Sequence, residues 1–225
     1  KTSEYLTSFQ SQNAIPFSEY PNLEQDLKHL KIENFRLENA GFIRIKTLTE
    51  QIGRLKKYFP SVSLTFPLLL EEVEKLDYRK EIVDKIDRVF NRFGEVKQEA
   101  SLALRELRTE IQHAQKAIQE NFSRALVTYG SQDLLDDIRE TIIDDQRVLA
   151  VKSGFKKRVP GPTLGVSKTG SISYIQPESV QKHQFRLREA KDEEKKEIDR
   201  ILRALTAELA PFEEILAEYQ AYAFD

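Results

Sequence analysis

The strongest constraint on the fold is an apolar repeat with helical spacing in the middle of the chain. Within residues 100–126 the apolar side chains recur at steps of three and four. They are Leu104, Leu107, Ile111, Ala114, Ile118, Phe122 and Leu126. This spacing places them on one side of an α-helix, and a stripe of this length is typical of a long helix packed against another helix.

A second repeat near the end of the chain is the expected partner of the first. In residues 198–219 the apolar side chains again alternate by four and three. They are Ile198, Leu202, Leu205, Leu209, Phe212, Leu216 and Tyr219. Pro211 interrupts this run, and a proline inside a helix disfavours it by about 3 kcal/mol, so a break near Ala210 is expected.

The first hundred residues are predicted to be helical as well. Residues 22–58 and 66–89 carry apolar side chains at helical spacing. We expect Asn39-Ala40-Gly41 to stop one helix and Pro60 to end the next. The first 22 residues, which include Tyr5, Leu6 and Phe9, show no such period and are predicted to be irregular, with one turn of helix at most.

Residues 146–177 depart from this pattern, because they contain no Asp or Glu. Six basic residues fall in this segment, and without them the chain has 29 basic and 37 acidic residues. The near balance of 35 basic and 37 acidic residues in the whole chain therefore hides a cationic insert in an acidic body. Clusters of this kind bind polyanions, most often the phosphates of a nucleic acid.

The same segment has the pattern of β structure. Residues 147–152 and 171–175 are β-branched and alternating, and four of the eight glycines in the chain lie between them or beside them as turns. We predict an antiparallel sheet of three or four strands, with Tyr174 packed in its small core. An alternative is a solvated hairpin whose charges only protect an exposed sheet edge from aggregation.

Nine polar residues of this sheet are predicted to contact nucleic acid. Their cationic groups can neutralise phosphates, and their hydroxyl groups can hydrogen-bond to phosphate oxygens. The nine residues are Arg147, Lys152, Lys156, Lys157, Arg158, Ser167, Lys168, Thr169 and Ser171. Since Phe155 and Tyr174 alone make a poor stacking platform, we expect backbone contacts with little sequence preference and strong dependence on salt.

Composition argues against several other kinds of site. The chain has no Cys, which excludes disulfides, thiolate nucleophiles and cysteine zinc sites. Its three histidines are scattered, and the acidic pairs Asp136-Asp137 and Asp144-Asp145 are weak evidence for a metal site. No set of nucleophile and base can be named, so we expect no enzyme activity and no metal or cofactor in this chain. Without a membrane-spanning run or a signal peptide, a soluble cytoplasmic protein that does not bind membranes is expected.

Together these patterns predict a mainly α fold, in which a small antiparallel β module lies at the tip of two long antiparallel helices. The expected parts are a helical core over residues 1–99, an outgoing helix over 100–130, a basic β module over 131–180 and a returning helix over 181–225. In this arrangement the cationic segment lies far from the helical core and is exposed to a ligand.

Three segments resemble the MutS family, and in particular its second bacterial branch, which is distinct from mismatch-repair MutS. Residues 94–104 match a Gly-x-Val-x-x-x-Ala-Ser-x-x-Leu stretch that opens a lever helix in that branch. The Arg-Val-Leu sequence at residues 147–149 matches the strand that starts its clamp, and residues 167–177 match the Ser-x-x-Gly-x-x-x-x-Ile-x-Pro segment that closes it. The resemblance covers residues 20–220 and is most specific in the clamp.

The resemblance implies the helical core, levers and clamp of such a protein, and the chain is therefore expected to be an excised segment. The ATPase and nuclease-like domains of the family are not matched, so ATP and Mg are implied as cofactors of the full-length protein only, together with a homodimer. For that protein the resemblance implies binding either to branched DNA, which controls recombination, or to the ribosomal RNA of stalled ribosomes. Residues 166–168 depart from the acids and glutamines common in this turn of the family.

Two functions of different kinds follow from the sequence. The leading hypothesis is a non-enzymatic module of levers and clamp that grips the phosphate backbone of DNA or ribosomal RNA. The alternative is a helical coiled-coil module, which dimerises or docks on another protein through residues 198–219 and does not bind nucleic acid.

Overall fold

The computed structural model describes residues 19–224 together with residues 4, 8, 15 and 16, so the irregular start predicted at Tyr5, Leu6 and Phe9 lies outside the described residues. The helices of the described part are α1 (Glu24–Leu30), α2 (Asn39–Tyr58), α3 (Pro67–Lys75), α4 (Lys80–Val89), α5 (Leu102–Ser131), α6 (Glu178–Leu209) and α7 (Glu213–Phe224). Its strands are β1 (Leu135–Ile143), β2 (Gln146–Lys152), β3 (Thr163–Val166) and β4 (Ile172–Ile175). The predicted fold class, mainly α with a small antiparallel sheet, is confirmed.

The chain packs as two compact units. The first unit combines Lys1–Leu102 with Glu197–Asp225, and the second consists of Ala103–Lys196. The second unit therefore contains the four strands, most of α5 and the first part of α6. All nine predicted contact residues belong to it.

The first unit is a helical core built on amphipathic helices. The buried side chains of α4 are Ile82, Val83, Ile86 and Val89, a spacing that turns one face of this helix toward α2. Asp26, which is buried, accepts hydrogen bonds at 2.7 Å from both Nε and Nη2 of Arg44, so its charge is matched within α1 and α2.

The segment Asn39-Ala40-Gly41 begins α2, so the predicted helix stop at this position is wrong. The break between α1 and α2 lies earlier, where Asn34 takes a positive φ of 58°. Gly41 is explained by packing, because a Cβ at this position would lie 2.7 Å from Oδ1 of Asp26 and 2.8 Å from Cγ of Leu37. The prediction that Pro60 ends a helix is confirmed, since α2 ends at Tyr58 and a 3-10 turn follows.

The repeat in residues 198–219 packs inside the first unit. The prediction that it packs along α5 is therefore wrong. Leu202, Leu205, Leu209, Leu216 and Tyr219 are at most 1% exposed. The hydroxyl group of Tyr219 donates to the carbonyl oxygen of Asp77 at 2.6 Å and accepts from the backbone N–H of Arg79 at 2.9 Å. The predicted break near Ala210 is confirmed, because α6 ends at Leu209 and a 3-10 turn containing Pro211 precedes α7.

Ser101 ties the start of α5 to α6. Its hydroxyl group donates to Oε1 of Glu197 at 2.6 Å. Hydrogen bonds from Arg200, and then from Ser101, lower the pKa of Glu197 to about 2. The carboxylate is therefore ionised at neutral pH and can accept from both donors at once.

In the second unit, α5 and the first part of α6 run antiparallel. Ile111 and Ala114 of α5 pack against Leu187 and Ala190 of α6, with Ile118 beside them. Arg108 Nε donates to Glu194 Oε1 at 2.8 Å, one turn closer to the start of α5. The stripe predicted on α5 therefore packs against the returning helix, α6. Its contacts are with residues that precede the predicted repeat at 198–219.

The sheet has the strand order β1-β2-β4-β3, and every neighbouring pair is antiparallel. One face packs on the second half of α5. Its core consists of Phe122, Ala125, Leu134, Leu135, Leu149, Val151, Val159, Ile175 and Val180. Tyr174 is only half-buried and lies on the opposite face from Ile175, so its predicted place in this core is wrong.

Candidate nucleic-acid interface

A short 3-10 turn follows β2 and displays three of the predicted cations. It spans Ser153–Arg158 and is held against the β3–β4 turn by its first residue. The backbone N–H of Ser153 donates to the carbonyl oxygen of Ser171 at 2.9 Å. The hydroxyl group of Ser153 donates to the carbonyl oxygen of Gly170 at 2.7 Å. These bonds place the 3-10 turn and the turn containing Lys168 at the same end of the sheet.

Three lysines at this end have no counter-ion in the described part of the chain. Lys156, Lys157 and Lys168 are exposed, and their ammonium groups form no ion pair with any described residue. Arg158 is also exposed, with Gln132 Oε1 3.4 Å from its Nη2 and the Phe155 ring centroid 5.8 Å from its guanidinium carbon. We call Lys156, Lys157, Lys168 and the hydroxyl groups beside them the cationic surface.

The hydroxyl groups of the cationic surface form a triangle on the β3–β4 turn. Oγ1 of Thr169 lies 2.7 Å from Oγ of Ser171, and Oγ of Ser167 lies 3.4 Å from each of them. Ser167 Oγ also accepts from the backbone N–H of Ile172 at 3.1 Å, which fixes its position. Hydroxyl protons can rotate, so the triangle can donate to an oxyanion next to Lys168.

Arg147, in contrast, is engaged within the protein. Its Nη2 lies 2.5 Å from Glu140 Oε2 and its Nη1 lies 2.6 Å from Gln119 Oε1. Its guanidinium group also lies over the ring of Phe122, 4.3 Å from the centroid. This half-buried side chain joins β1, β2 and α5, so its geometry is that of a positioning residue.

Lys152 is also paired. Its ammonium group donates to Oδ1 of Asp133 at 2.8 Å and to the carbonyl oxygen of the same residue at 3.3 Å. The hydrogen bond from Lys152 lowers the pKa of Asp133. Of the six cations predicted to contact phosphate, Arg147 and Lys152 would have to leave an acidic partner to do so.

The positive charge is local to one side of the sheet. Residues 131–180 contain seven basic and seven acidic residues, and every acid except Glu178 precedes Gln146. The reason is β1, an acidic edge strand that pairs with β2 and supplies Glu140 to Arg147. The cationic surface lies across the sheet from this strand, beside β4 and β3.

The acidic pair Asp144-Asp145 is explained by the turn between β1 and β2. Both residues have positive φ, 47° and 58°, and Ile143 pairs with Gln146 on either side of them. A two-residue hairpin turn of this kind needs positive φ at both positions, which Asp tolerates better than most residues. Among the described residues, no group of three or more His, Cys, Asp or Glu could hold a metal ion.

A substitution separates the positioning role of Arg147 from phosphate binding. We expect Arg147→Ala to lower the free energy of unfolding of the second unit by about 1–2 kcal/mol, because the contacts with Phe122, Glu140 and Gln119 are lost together. Urea unfolding of both proteins measures this difference. Nucleic-acid affinity below the unfolding transition should change less than about threefold. A loss as large as that caused by replacing Lys156, Lys157 and Lys168 with Glu would contradict this role.

Comparison with known proteins places the chain among a set of bacterial relatives. No family model matches it. It is 28% identical over 221 residues to the endonuclease MutS2 of a Geobacillus species, which is 97% of this chain and 28% of that protein. It is 30% identical over 219 residues to the endonuclease MutS2 of Brevibacillus brevis, which is 96% of this chain and 28% of that protein. The chain is a homologue of the MutS2 proteins.

This homology confirms the predicted resemblance to the second branch of the MutS family. A third relative, the endonuclease MutS2 of Leuconostoc mesenteroides, is 26% identical over 216 residues, or 94% of this chain and 27% of that protein. The chain thus spans little more than a quarter of the length of these MutS2 relatives. None of the helices in the described residues is both long enough and apolar enough to cross a membrane.

Two parts of this interface were missed by sequence reasoning, although both lie in the stretch homologous to MutS2. The strand β1 escaped notice because Asp136, Asp137 and Glu140 break its alternation; the signal was the pair Ile142-Ile143 directly before two turn-forming acids. The second is Phe155, which sequence reasoning set aside as part of a poor stacking platform although it stands between Gly154 and three consecutive cations. The side chain of Phe155 is 37% exposed.

Proposed function

We propose that this chain binds the phosphate backbone of nucleic acid through its cationic surface, as a binding element that performs no chemistry itself. The observation that carries the proposal is the exposure of Lys156, Lys157 and Lys168 without a counter-ion in the described part of the chain. The MutS2 relatives are named endonucleases, and an endonuclease acts on nucleic acid, which agrees with this ligand.

An unpaired lysine is well suited to this role on energetic grounds. When it meets a phosphate, counter-ions are released from the nucleic acid, and no ion pair within the protein is broken. Arg147 and Lys152 would each exchange one acidic partner for another, so they contribute less. The contacts proposed here therefore come from the three lysines, with Arg158 beside them and Ser167, Thr169 and Ser171 as hydrogen-bond donors.

The finer proposal is that the two long helices and the sheet act as levers and clamp within a longer protein. In that protein, ATP with Mg would bind elsewhere and two copies would pair, so that two clamps close on branched DNA or on ribosomal RNA. Phosphates are common to both ligands, and the cationic surface suits either. Binding measurements with both kinds of ligand therefore decide between the two roles.

The coiled-coil alternative was based on the apolar repeat at residues 198–219, and this repeat is buried within the chain. Five of the seven apolar side chains of its repeat are at most 1% exposed in the folded chain, because they pack within the first unit. A coiled coil between copies would require these side chains at the surface. The repeat is accounted for by packing within one chain.

Fluorescence anisotropy with a four-way DNA junction, a plain duplex and a structured RNA tests the proposal. We expect binding to all three at about 50 mM salt, and a slope of log affinity against log salt near −3, about −0.9 for each phosphate neutralised by a lysine. The preferred ligand indicates the role of the longer protein. Absence of binding at low salt, or affinity that does not depend on salt, would contradict the proposal.

A further inference from the structure

Phe155 directly precedes Lys156 and Lys157 of the cationic surface, and its ring is partly exposed. It belongs to the 3-10 turn, is 37% exposed and has the guanidinium carbon of Arg158 5.8 Å from its ring centroid. The neighbouring Gly154 is open, since a Cβ at that position would meet no atom within 4 Å. A planar ligand can therefore reach this turn.

The phosphate-binding groups lie close to this ring. Ser153, two residues before Phe155, donates hydrogen bonds to the carbonyl oxygens of Gly170 and Ser171, on the turn that carries the hydroxyl triangle. Two residues of a 3-10 helix rise only about 4 Å, so the backbone of Phe155 lies near the turn that carries the triangle. An aromatic face next to cations and hydroxyl groups is the combination that holds single-stranded nucleic acid.

We infer that Phe155 stacks on an unpaired base while Lys168 and the hydroxyl triangle hold the neighbouring phosphate. The cationic surface then prefers single-stranded or branch-point nucleotides to continuous duplex. This inference rests on the proposed function and names the class of nucleic acid that the surface selects. In a continuous duplex both faces of each base are already stacked, so the ring gains a partner only where the stack is interrupted.

Two substitutions at this position test the inference in the whole chain. Phe155→Leu keeps an apolar side chain of similar volume and removes the aromatic face, so it should lower affinity for a single-stranded oligonucleotide about tenfold while duplex affinity changes less than about twofold. Phe155→Trp should keep the preference for the single strand. The chain contains no other Trp, so quenching of this indole on binding reports stacking directly.

The controls separate this inference from the proposed function. Phe185→Leu removes another exposed ring, 62% exposed on α6, and should leave both affinities unchanged. Equal effects of Phe155→Leu on single strand and duplex, no effect on either, or an unquenched indole would overturn the inference. Each of these outcomes leaves salt-dependent binding through the lysines standing, whereas loss of all binding by the unaltered chain would overturn the proposed function itself.

Discussion

Reversing the charges of the cationic surface is expected to lower nucleic-acid affinity at least about a hundredfold at moderate salt, and to reduce the salt slope by about three. The variant carries Lys156→Glu, Lys157→Glu and Lys168→Glu. Each substitution removes a phosphate contact and places a carboxylate where a phosphate would lie. Because none of the three lysines is paired with an acid in the described part of the chain, the fold should be unaffected. Anisotropy titrations at several salt concentrations measure both quantities.

A matched variant separates local contact from net charge. Lys191→Glu, Lys195→Glu and Lys196→Glu reverse three exposed lysines on α6 and change the net charge of the second unit by the same amount. We expect this variant to lose less than about fivefold in affinity, since only long-range attraction is reduced. Equal losses in the two variants would show that binding depends on total charge and would refute the assignment of the cationic surface.

Replacing Gly161 by alanine is expected to destabilise the second unit by about 3 kcal/mol or more. Gly161 has a φ of 143°, which L-residues rarely adopt. A Cβ there would lie 1.9 Å from the carbonyl oxygen of Gln176, inside a segment braced by backbone bonds from Gln176 to Pro162 and from Glu178 to Pro160. Urea unfolding followed by circular dichroism measures the loss.

The control for this substitution lies seven residues earlier. Gly154→Ala adds the same methyl group where no atom lies within 4 Å and where φ is not positive, so it should change the free energy of unfolding by less than about 0.5 kcal/mol. If the two alanine variants unfolded at the same urea concentration, the close approach of Gly161 to Gln176 would be wrong.

The parts of the fold that were predictable from sequence are those with a local cause. The stripe on α5, the break at Pro211 and the antiparallel strands β2 and β4 follow from side-chain period or from the geometry of proline. The long-range partners did not follow. The repeat of residues 198–219 has the same spacing whether its helix packs on α5 or on the first unit, and only the three-dimensional packing decides.

Two single positions, Gly41 and Tyr174, also show that a sequence pattern does not identify the neighbours of a residue. Asn39-Ala40-Gly41 has the composition of a helix stop, but Gly41 is there because α2 passes within contact of Asp26 and Leu37. The prediction places Tyr174 in the sheet core, yet Ile175 on the other face fills that place and Tyr174 is half-buried. Both errors arise because a local pattern does not say which side of a strand or helix has a neighbour.

The cationic surface was only partly predictable from the sequence. The absence of acids in residues 146–177 locates the segment, but the sequence alone does not distinguish its six cations from one another. Folding distinguishes them, since Glu140 from β1 pairs with Arg147 and Asp133 pairs with Lys152. Charge counting along a chain cannot show such pairs when the acid comes from a neighbouring strand.

Site-specific photo-crosslinking tests the central claim most directly, because the chain has no native Cys and a single one can carry the reagent. Gly154→Cys places it in the open turn beside Lys156, and Leu64→Cys places it at a position of the first unit that is 98% exposed. We predict that bound nucleic acid crosslinks strongly from position 154 and weakly from position 64. Equal yields, or a higher yield from position 64, would contradict binding through the cationic surface.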